Sequence, residues 1–339
     1  MRGVIMNAPG QVQTTDRPDP TIVEPTDAII RTTATCVCGT DLWPYRGVTH
    51  PDDTPMGHEY VGVVEEVGAE VRSIKPGQFV VGSFFSSDNT CEICTSGYQS
   101  RCVQNTNMGS IGCQAEYVRI PLADGTLVPT NDQPDADLIP SLLSASDVLG
   151  TGWFGALAAE VQPGKDVVVV GDGAVGLLGV LAAKELGAER IIAMSRHADR
   201  QALATEFGAT DIIAERGEEG VAHVKELLGG LGAHSTIEAV GTTESMMQAV
   251  NATRPGGHVG FLGVGHGVEI PGRPLFGAAV HLHGGPAPVR GYLPNLIEKI
   301  YNREINPGKV FTQQLPLEES AEAYRAIDER REIKVLLQP

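Results

Sequence analysis

The sequence predicts an α/β protein in two parts: a compact, barrel-like β region over roughly the first 150 residues, then a doubly wound parallel sheet with helices on both faces. Three observations predict it. Up to about residue 150 the chain is rich in Gly, Pro and Thr and carries short β-type runs separated by turn formers. From about residue 165 strand-like and helix-like segments alternate, as βαβ crossovers require. At the first of those crossovers stands the glycine-rich turn Gly171-Asp172-Gly173-Ala174-Val175-Gly176.

In the first part, Asp27–Thr33, Tyr60–Val67 and Phe79–Gly82 read as strands, and Ser73-Ile74-Lys75-Pro76-Gly77 as a turn between two of them. In the second, Asp166–Val170 is a β-branched run, Ala174–Gly187 has helical spacing of apolar residues, and Arg190–Met194 is again a strand. Helix Ala198–Phe207, strand Asp211–Ala214, helix Val221–Leu228, strand Ser235–Val240, helix Ser245–Thr253 and strand His258–Leu262 continue the alternation. After Pro286-Ala287-Pro288 come helices Tyr292–Tyr301 and Ser320–Arg330 and a last strand, Lys334–Leu337. A length of 339 residues suits two domains.

Composition excludes several classes. With 42% hydrophobic and 20% charged residues the chain is neither disordered nor collagenous. Asp plus Glu number 42 against 25 Lys plus Arg, and the resulting charge of −17 repels nucleic-acid phosphates. The segment MRGVIMNAPGQ has no apolar core of signal-peptide length, and no 18-residue apolar run occurs later. The expectation is a cytoplasmic protein that binds neither membrane nor nucleic acid. Its six cysteines, at positions 36, 38, 91, 94, 102 and 113, are too few for a disulfide scaffold, and in a reducing compartment their clustering points to metal.

The run Val167–Val170 leading into Gly171-Asp172-Gly173-Ala174-Val175-Gly176 is a strand, a GxGxxG turn and a helix start. Gly171 allows the tight turn, Gly173 lets the backbone approach a pyrophosphate, and Gly176 lets helix and strand pack closely. The context, inside a run of βαβ units, is that of a dinucleotide site. Upstream, Cys36-Val37-Cys38-Gly39-Thr40-Asp41 is followed by Gly57-His58-Glu59, and a thiolate and an imidazole are both good zinc ligands.

Taken together, these elements resemble the zinc-dependent medium-chain alcohol dehydrogenases. The resemblance extends over essentially the whole chain, through Gly57-His58-Glu59-Tyr60-Val61-Gly62-Val63-Val64, Lys75-Pro76-Gly77, Ala115-Glu116-Tyr117, Pro163-Gly164, the fingerprint and Arg254-Pro255-Gly256-Gly257. Within that family the chain is similar to the branch of glutathione-independent formaldehyde dehydrogenase, whose third catalytic zinc ligand is Asp. The resemblance implies a GroES-like catalytic domain over 1–148 and 290–339 and a Rossmann coenzyme domain over 149–289.

It further implies that Cys38, His58 and Asp147 hold a catalytic zinc, with Asp147 standing where most members have Cys. On the residues alone, Ser146 or Asp147 also reads as the N-cap of the next helix. Glu59 is expected beside the metal or as an exchangeable ligand, and Asp41 as the carboxylate that orients His58. The family's structural zinc uses four cysteines; here Cys91, Cys94 and Cys102 fill three places and Asp88 the first, an Asp-Cys₃ set that zinc accepts. An empty loop is the alternative. Cys36 reads as a small buried hydrophobe, and Cys113 lies outside both patterns.

The implied reaction is hydride transfer between an alcohol and a nicotinamide, zinc lowering the pKa of a bound hydroxyl toward about 7. Thr40 matches the hydroxyl that takes the substrate proton. Trp43 stands where the family often has a relaying His, and Trp43 and Phe84 either wall the substrate pocket or belong to the core. Thr151, Val240, Gly263 and Val264 match cofactor-lining positions. A homodimer or homotetramer is implied. The alternatives are a zinc-free quinone or enoyl reductase of the same fold, an NAD-dependent formaldehyde or polyol dehydrogenase, and a non-enzymatic nucleotide-sensing protein.

An NAD site places an acid about 20 residues after the fingerprint, on the ribose 2′-hydroxyl. Here the strand Arg190–Met194 ends instead in Ser195 and Arg196, with Arg200 four residues on. A helix starting by then would put both guanidinium groups on one side, each able to add a charge-assisted bond of about 1.5–3 kcal/mol to a 2′-phosphate. Ser-Arg turns of this kind mark NADP-preferring relatives, so NADP is expected over NAD. The alternative is that both arginines are solvated and Asp199 or Asp172 holds an NAD ribose.

Overall fold

A computed structural model describes residues 1–49, 53–265 and 267–339. The chain divides into two units, Met1–Gly150 with Pro288–Pro339, and Thr151–Ala287.

The first unit opens with strands β1 (Arg2–Ala8), β2 (Gln11–Asp16), β3 (Ala28–Cys36), β4 (Thr54–Pro55), β5 (Tyr60–Val67), β6 (Phe79–Gly82), β7 (Tyr117–Ile120) and β8 (Leu127–Pro129). The second unit contains β9 (Asp166–Val170), β10 (Arg190–Met194), β11 (Asp211–Ile213), β12 (Ala233–Glu238), β13 (Thr253–Phe261) and β14 (His281–Gly284). The returning chain adds β15 (Phe311–Pro316) and β16 (Lys334–Gln338) to the first unit.

In the second unit the six strands run parallel in the order β11-β10-β9-β12-β13-β14. Numbered within the unit that is 3-2-1-4-5-6, the doubly wound order in which ligands bind beyond the carboxyl ends of the strands at the switch point. The β-branched Val167–Val170 run is fully enclosed, as a central parallel strand must be. Val168, Val170, Ile192, Met194 and Ile213 pack one face of the sheet against Val224, Ala249 and Ala252 of two covering helices.

In the first unit a mostly antiparallel sheet has the order β15-β16-β3-β5-β6-β8, with β7 also on β3. Its inward side packs Ile30, Tyr60, Val64, Val80, Met108, Ile120 and Leu127. A second cluster joins Val4, Met6, Val37 and Leu42 to Leu317, Tyr324, Val335 and Leu337, so the C-terminal segment is built into the N-terminal domain. Two registers position the candidate ligands: Thr35 of β3 pairs Tyr60 of β5, and Cys36 pairs Leu336 of β16. The segments just past Cys36, just before Tyr60 and at the start of β16 are therefore brought together. Among the described residues no helix is long and apolar enough to cross a membrane.

Candidate metal and dinucleotide sites

Cys38 follows the end of β3, and its backbone N–H donates to Asp41 Oδ2 at 3.0 Å across the tight turn Gly39–Asp41. His58 precedes β5, after Gly57 at φ +90°, where a Cβ would lie 2.4 Å from Gln114 Cγ. The other carboxylate oxygen of Asp41 faces His58 Nδ1 at 3.3 Å. One aspartate thus ties the thiol's backbone to the imidazole ring. With Nδ1 held by Asp41, Nε2 is the ring nitrogen left to face a metal on the opposite edge.

On that edge lies Asp147, with Oδ2 3.2 Å from His58 Nε2 and 3.7 Å from Cys38 Sγ. The Asp147 carboxylate is turned toward the thiol and imidazole, and the hydroxyl of Ser146 donates to the Leu143 carbonyl. Cys38, His58, Glu59 and Asp147 are all buried, and one potential ligand atom from each lies within 4.8 Å of the others. Burial works to lower the His58 pKa, but Asp41, Cys38 and Asp147 outweigh it and hold the ring well above its usual range.

Glu59 is fully enclosed. Its Oε1 accepts from Lys334 Nζ at 2.6 Å, whereas Oε2 has no hydrogen-bond partner. An unsatisfied buried carboxylate oxygen is costly, and its place among three other ligand-type atoms fits a cation as partner. Lys334, 2% exposed, also donates to the Val37 carbonyl at 3.3 Å. Burial pulls its pKa down, yet the charges of Cys36 and Glu59 hold it well above the ordinary lysine value.

Sequence reasoning missed Lys334, Gln114 and Tyr324. Gln114 donates to Asp41 Oδ2 at 3.4 Å and to the Cys36 carbonyl at 3.0 Å, and the Tyr324 hydroxyl donates to Gln114 Oε1 at 3.1 Å. The one available signal for Lys334 was a lysine opening an otherwise apolar strand. Thr40 is exposed on the turn after Cys38, and Trp43 is half-buried in the next short helix, Leu42–Tyr45. Phe84 lies beside the cluster, its ring 6.1 Å from that of His58 in an edge-on arrangement. Cys36 and Cys113 are buried and belong to neither ligand group.

Asp88, Cys91, Cys94 and Cys102 form a second ligand group of the same kind. Backbone N–H groups of Asp88 and Gln104 point at Cys102 Sγ at 3.4 Å, and that of Cys94 at Cys91 Sγ at 3.5 Å. Donors aimed at sulfur favour thiolates over thiols. Burial acts to raise the Asp88 pKa, but the N–H groups of Cys91 and Thr90 on its carboxylate bring it down to about 2.

In the second unit, Gly171 has φ +116° and a Cβ there would lie 2.8 Å from Val240 Cγ2; at Gly176 a Cβ would lie 2.0 Å from the Gly171 carbonyl. Packing requires both glycines. At Gly173 a Cβ would meet no protein atom within 4 Å, so the fold alone gives no reason for glycine there. Gly173 caps the helix Ala174–Glu185, whose first N–H groups, including those of Ala174, Val175 and Gly176, open toward that space. Val240 follows β12, and Gly263 and Val264 follow β13, with Gly263 in backbone contact with Gly241. Thr151 begins this unit within the helix Val148–Ala158.

The expected pairing of Arg196 with Arg200 is corrected. The helix starts at Ala198, after the N-cap His197, so Arg196 lies outside it. Arg196 is exposed, whereas Arg200 is buried and reaches Asp172, with Nη1 3.6 Å from Oδ1 and 3.3 Å from the main-chain oxygen. The Ser195 hydroxyl donates to Asp172 Oδ2 at 2.8 Å. Asp199 is exposed in the first turn of that helix.

A doubly wound sheet with a glycine fingerprint, joined to a β domain carrying two cysteine-based ligand groups, defines a dehydrogenase class. The chain matches the alcohol dehydrogenase GroES-like domain over residues 24–132 and the zinc-binding dehydrogenase domain over 174–299. It is 33% identical to zinc-type alcohol dehydrogenase B of Aspergillus flavus, over 99% of this chain and 81% of the relative. It is 34% identical to the NADP-dependent isopropanol dehydrogenase of Clostridium beijerinckii, over 72% of each. The solved alcohol dehydrogenase of Thermus sp. ATN1 superposes with a TM-score of 0.89 at 29% identity, covering 100% of this chain and 99% of that one. The chain belongs to the zinc-dependent medium-chain alcohol dehydrogenase family.

Proposed function

We propose that the protein transfers hydride between a small alcohol, or the matching aldehyde or ketone, and a nicotinamide dinucleotide, with NADP(H) preferred. The observation that carries this reading is the convergence of Cys38, His58 and Asp147 in one buried group. Thiolate, imidazole and carboxylate are a zinc donor set, and three of them leave a position for substrate. Zinc there supplies Lewis acidity that eases loss of a hydroxyl proton or polarises a carbonyl.

The chain's own residues orient and protect that centre. Asp41 holds the His58 ring by Nδ1 and the Cys38 backbone by its N–H, so two ligands share one support. Glu59 offers its free oxygen beside the ligands while Lys334 restrains the other. Thr40, exposed one turn from Cys38, hands the substrate proton toward solvent, and Phe84 and Trp43 supply apolar wall. Asp88, Cys91, Cys94 and Cys102 hold a second, structural zinc that pins their loop. In the other unit Gly173, Ala174, Val175 and Gly176 cradle the pyrophosphate, and Thr151, Val240, Gly263 and Val264 line the nicotinamide half.

The test of activity is nicotinamide reduction with a panel of alcohols, before and after a chelator. Turnover is expected to vanish on chelation and return with zinc. Turnover that survives full metal removal would overturn the reading. Metal analysis is expected to find two zinc ions per chain, falling to one in Cys94→Ser. That variant is also expected to lose about 2–3 kcal/mol of stability, seen as a Tm lower by about 5–10 °C. One zinc per chain in the unmodified protein would argue for an empty loop.

NADP preference is supported by Ser195 and exposed Arg196 at the end of β10, where NAD sites carry an acid. Arg196→Ala is expected to lower kcat/KM for NADP by about tenfold or more, one charge-assisted bond, with the NAD value unchanged. A wild-type preference for NAD would overturn this choice of cofactor.

A further inference from the structure

We propose that Asp172 and Arg200 form the charge balance that decides which nicotinamide dinucleotide the site accepts. The pair acts only in an enzyme that reads the adenosine ribose of its cofactor, and so rests on the proposed function. Asp172 lies in the fingerprint turn, directly after Gly171, whose φ of +116° turns the chain at the end of β9. β10 is the neighbouring parallel strand, with Met194 opposite Val170, so Ser195 and Asp172 emerge side by side at the carboxyl edge. The Ser195 hydroxyl donates to Asp172 Oδ2 at 2.8 Å, and Arg200 Nη1 stands 3.6 Å from Oδ1.

In many dinucleotide sites an acid at the end of the second strand accepts the ribose 2′-hydroxyl and repels a 2′-phosphate. Here a carboxylate occupies that neighbourhood, but it comes from the first strand's turn. Unopposed, it would turn the site toward NAD. Arg200 opposes it: the guanidinium and carboxylate side chains are only 10% and 11% exposed, so solvent screens their attraction little. The Asp172–Arg200 pair is then neutral. Among the described residues at this edge, Arg196 is left exposed and without an ion-pair partner. A 2′-phosphate therefore meets one uncompensated cation, rather than a carboxylate; the Ser195 hydroxyl proton is already given to Asp172. Helix geometry explains how Arg200 gets there. As the third residue of the helix Ala198–Phe207 it projects back over the first turn, toward the fingerprint, instead of outward beside Arg196.

Without Arg200, Asp172 and Arg196 would cancel each other, and the freed Oδ1 would be open to a ribose hydroxyl. The experiment is calorimetric titration of the zinc-loaded enzyme with NADP⁺ and with NAD⁺. The variants are Arg200→Met, Asp172→Asn, the Asp172→Asn/Arg200→Met double variant and Arg196→Ala. Arg200→Met is expected to shift the NADP:NAD affinity ratio toward NAD by about tenfold or more. The double variant is expected to return it to within about threefold of the original.

A ratio unmoved in Arg200→Met overturns the pair's role. So does a double variant that keeps the whole shift, because the loss then comes from the missing guanidinium and not from an exposed carboxylate. Asp172→Asn, which keeps size and shape, covers the case of an Arg200 variant that does not fold: it is expected to raise the ratio about threefold or more, and an unchanged ratio overturns the pair. Arg196→Ala tests the parent reading separately. An unchanged ratio there removes the NADP assignment to Arg196, while a reversal between the Arg200 and double variants would still uphold the Asp172–Arg200 exchange.

Discussion

Asp147→Ala protein is expected to fold, to carry one zinc per chain instead of two, and to lose at least about a hundredfold in kcat/KM. The fold survives because the change removes charge from a crowded site. Asp147 Oδ2 lies 3.7 Å from Cys38 Sγ, in a buried group that also contains Glu59, and like charges there oppose one another. The metal does not survive, because Cys38 and His58 alone leave two protein donors where zinc takes three or four. Residues that merely support a ligand cost about 10–100-fold in metal affinity or activity when lost, so a ligand itself is expected to cost at least the upper figure. Zinc analysis, circular dichroism and steady-state kinetics on the same preparation check the three parts. Asp147→Cys is the companion variant: a thiolate is also a zinc donor, and the second zinc is expected to return. If Asp147→Ala kept both zinc ions and full turnover, Glu59 would be the third donor and Asp147 a bystander.

How much of this was legible in the sequence depends on what kind of contact holds each residue. Strands β9 and β10 run from Asp166 to Val170 and from Arg190 to Met194, as their β-branched runs between turn residues indicated. The helix expected over Val221–Leu228 instead starts at Gly217, because its first turn is polar, Glu218 and Glu219 complementing the helix dipole, and carries no apolar signal. β13 begins at Thr253, not His258, since Pro255, Gly256 and Gly257 break the strand pattern while a register shift opposite them absorbs the irregularity.

The candidate metal groups followed from local spacing and resemblance, because Cys38 with Asp41, and Asp88 with Cys91 and Cys94, are near neighbours in the chain. Lys334, Gln114 and Tyr324 reach the same centre only through the pairing of β3 with β16 and packing around Asp41, and no short pattern announces that. Arg200 is the instructive error. Spacing placed it beside Arg196, but where the helix begins decides which way the side chain turns, and a helix start is known least well from sequence.

The largest effect on stability is expected from Lys334→Met. Lys334 and Glu59 are 2% and 0% exposed, with Nζ and Oε1 2.6 Å apart. Removing one partner of a buried pair strands the other, at a cost of about 3–5 kcal/mol. Met fills the space left by the lysine stem but offers nothing to Oε1, and Oε2 already lacks a hydrogen-bond partner. The variant therefore leaves a carboxylate with neither oxygen satisfied, next to the Cys38 and Asp147 ligand atoms. Glu59 is then expected to take up a proton, since burial already pushes its pKa upward and the lysine that pulled it down is gone. A second change separates the loss of the pair from the loss of packing. Glu59→Gln in the Lys334→Met background removes the stranded charge and is expected to recover most of the stability, so the two losses will not add. Denaturant midpoints of the single and double variants, measured with and without zinc, check this. A Lys334→Met protein within about 0.5 kcal/mol of the original would show that the pair carries no weight and that Glu59 is satisfied by the metal alone. The expected order is different: the metal relieves part of the loss, because a bound cation gives the freed carboxylate a partner that lysine no longer supplies.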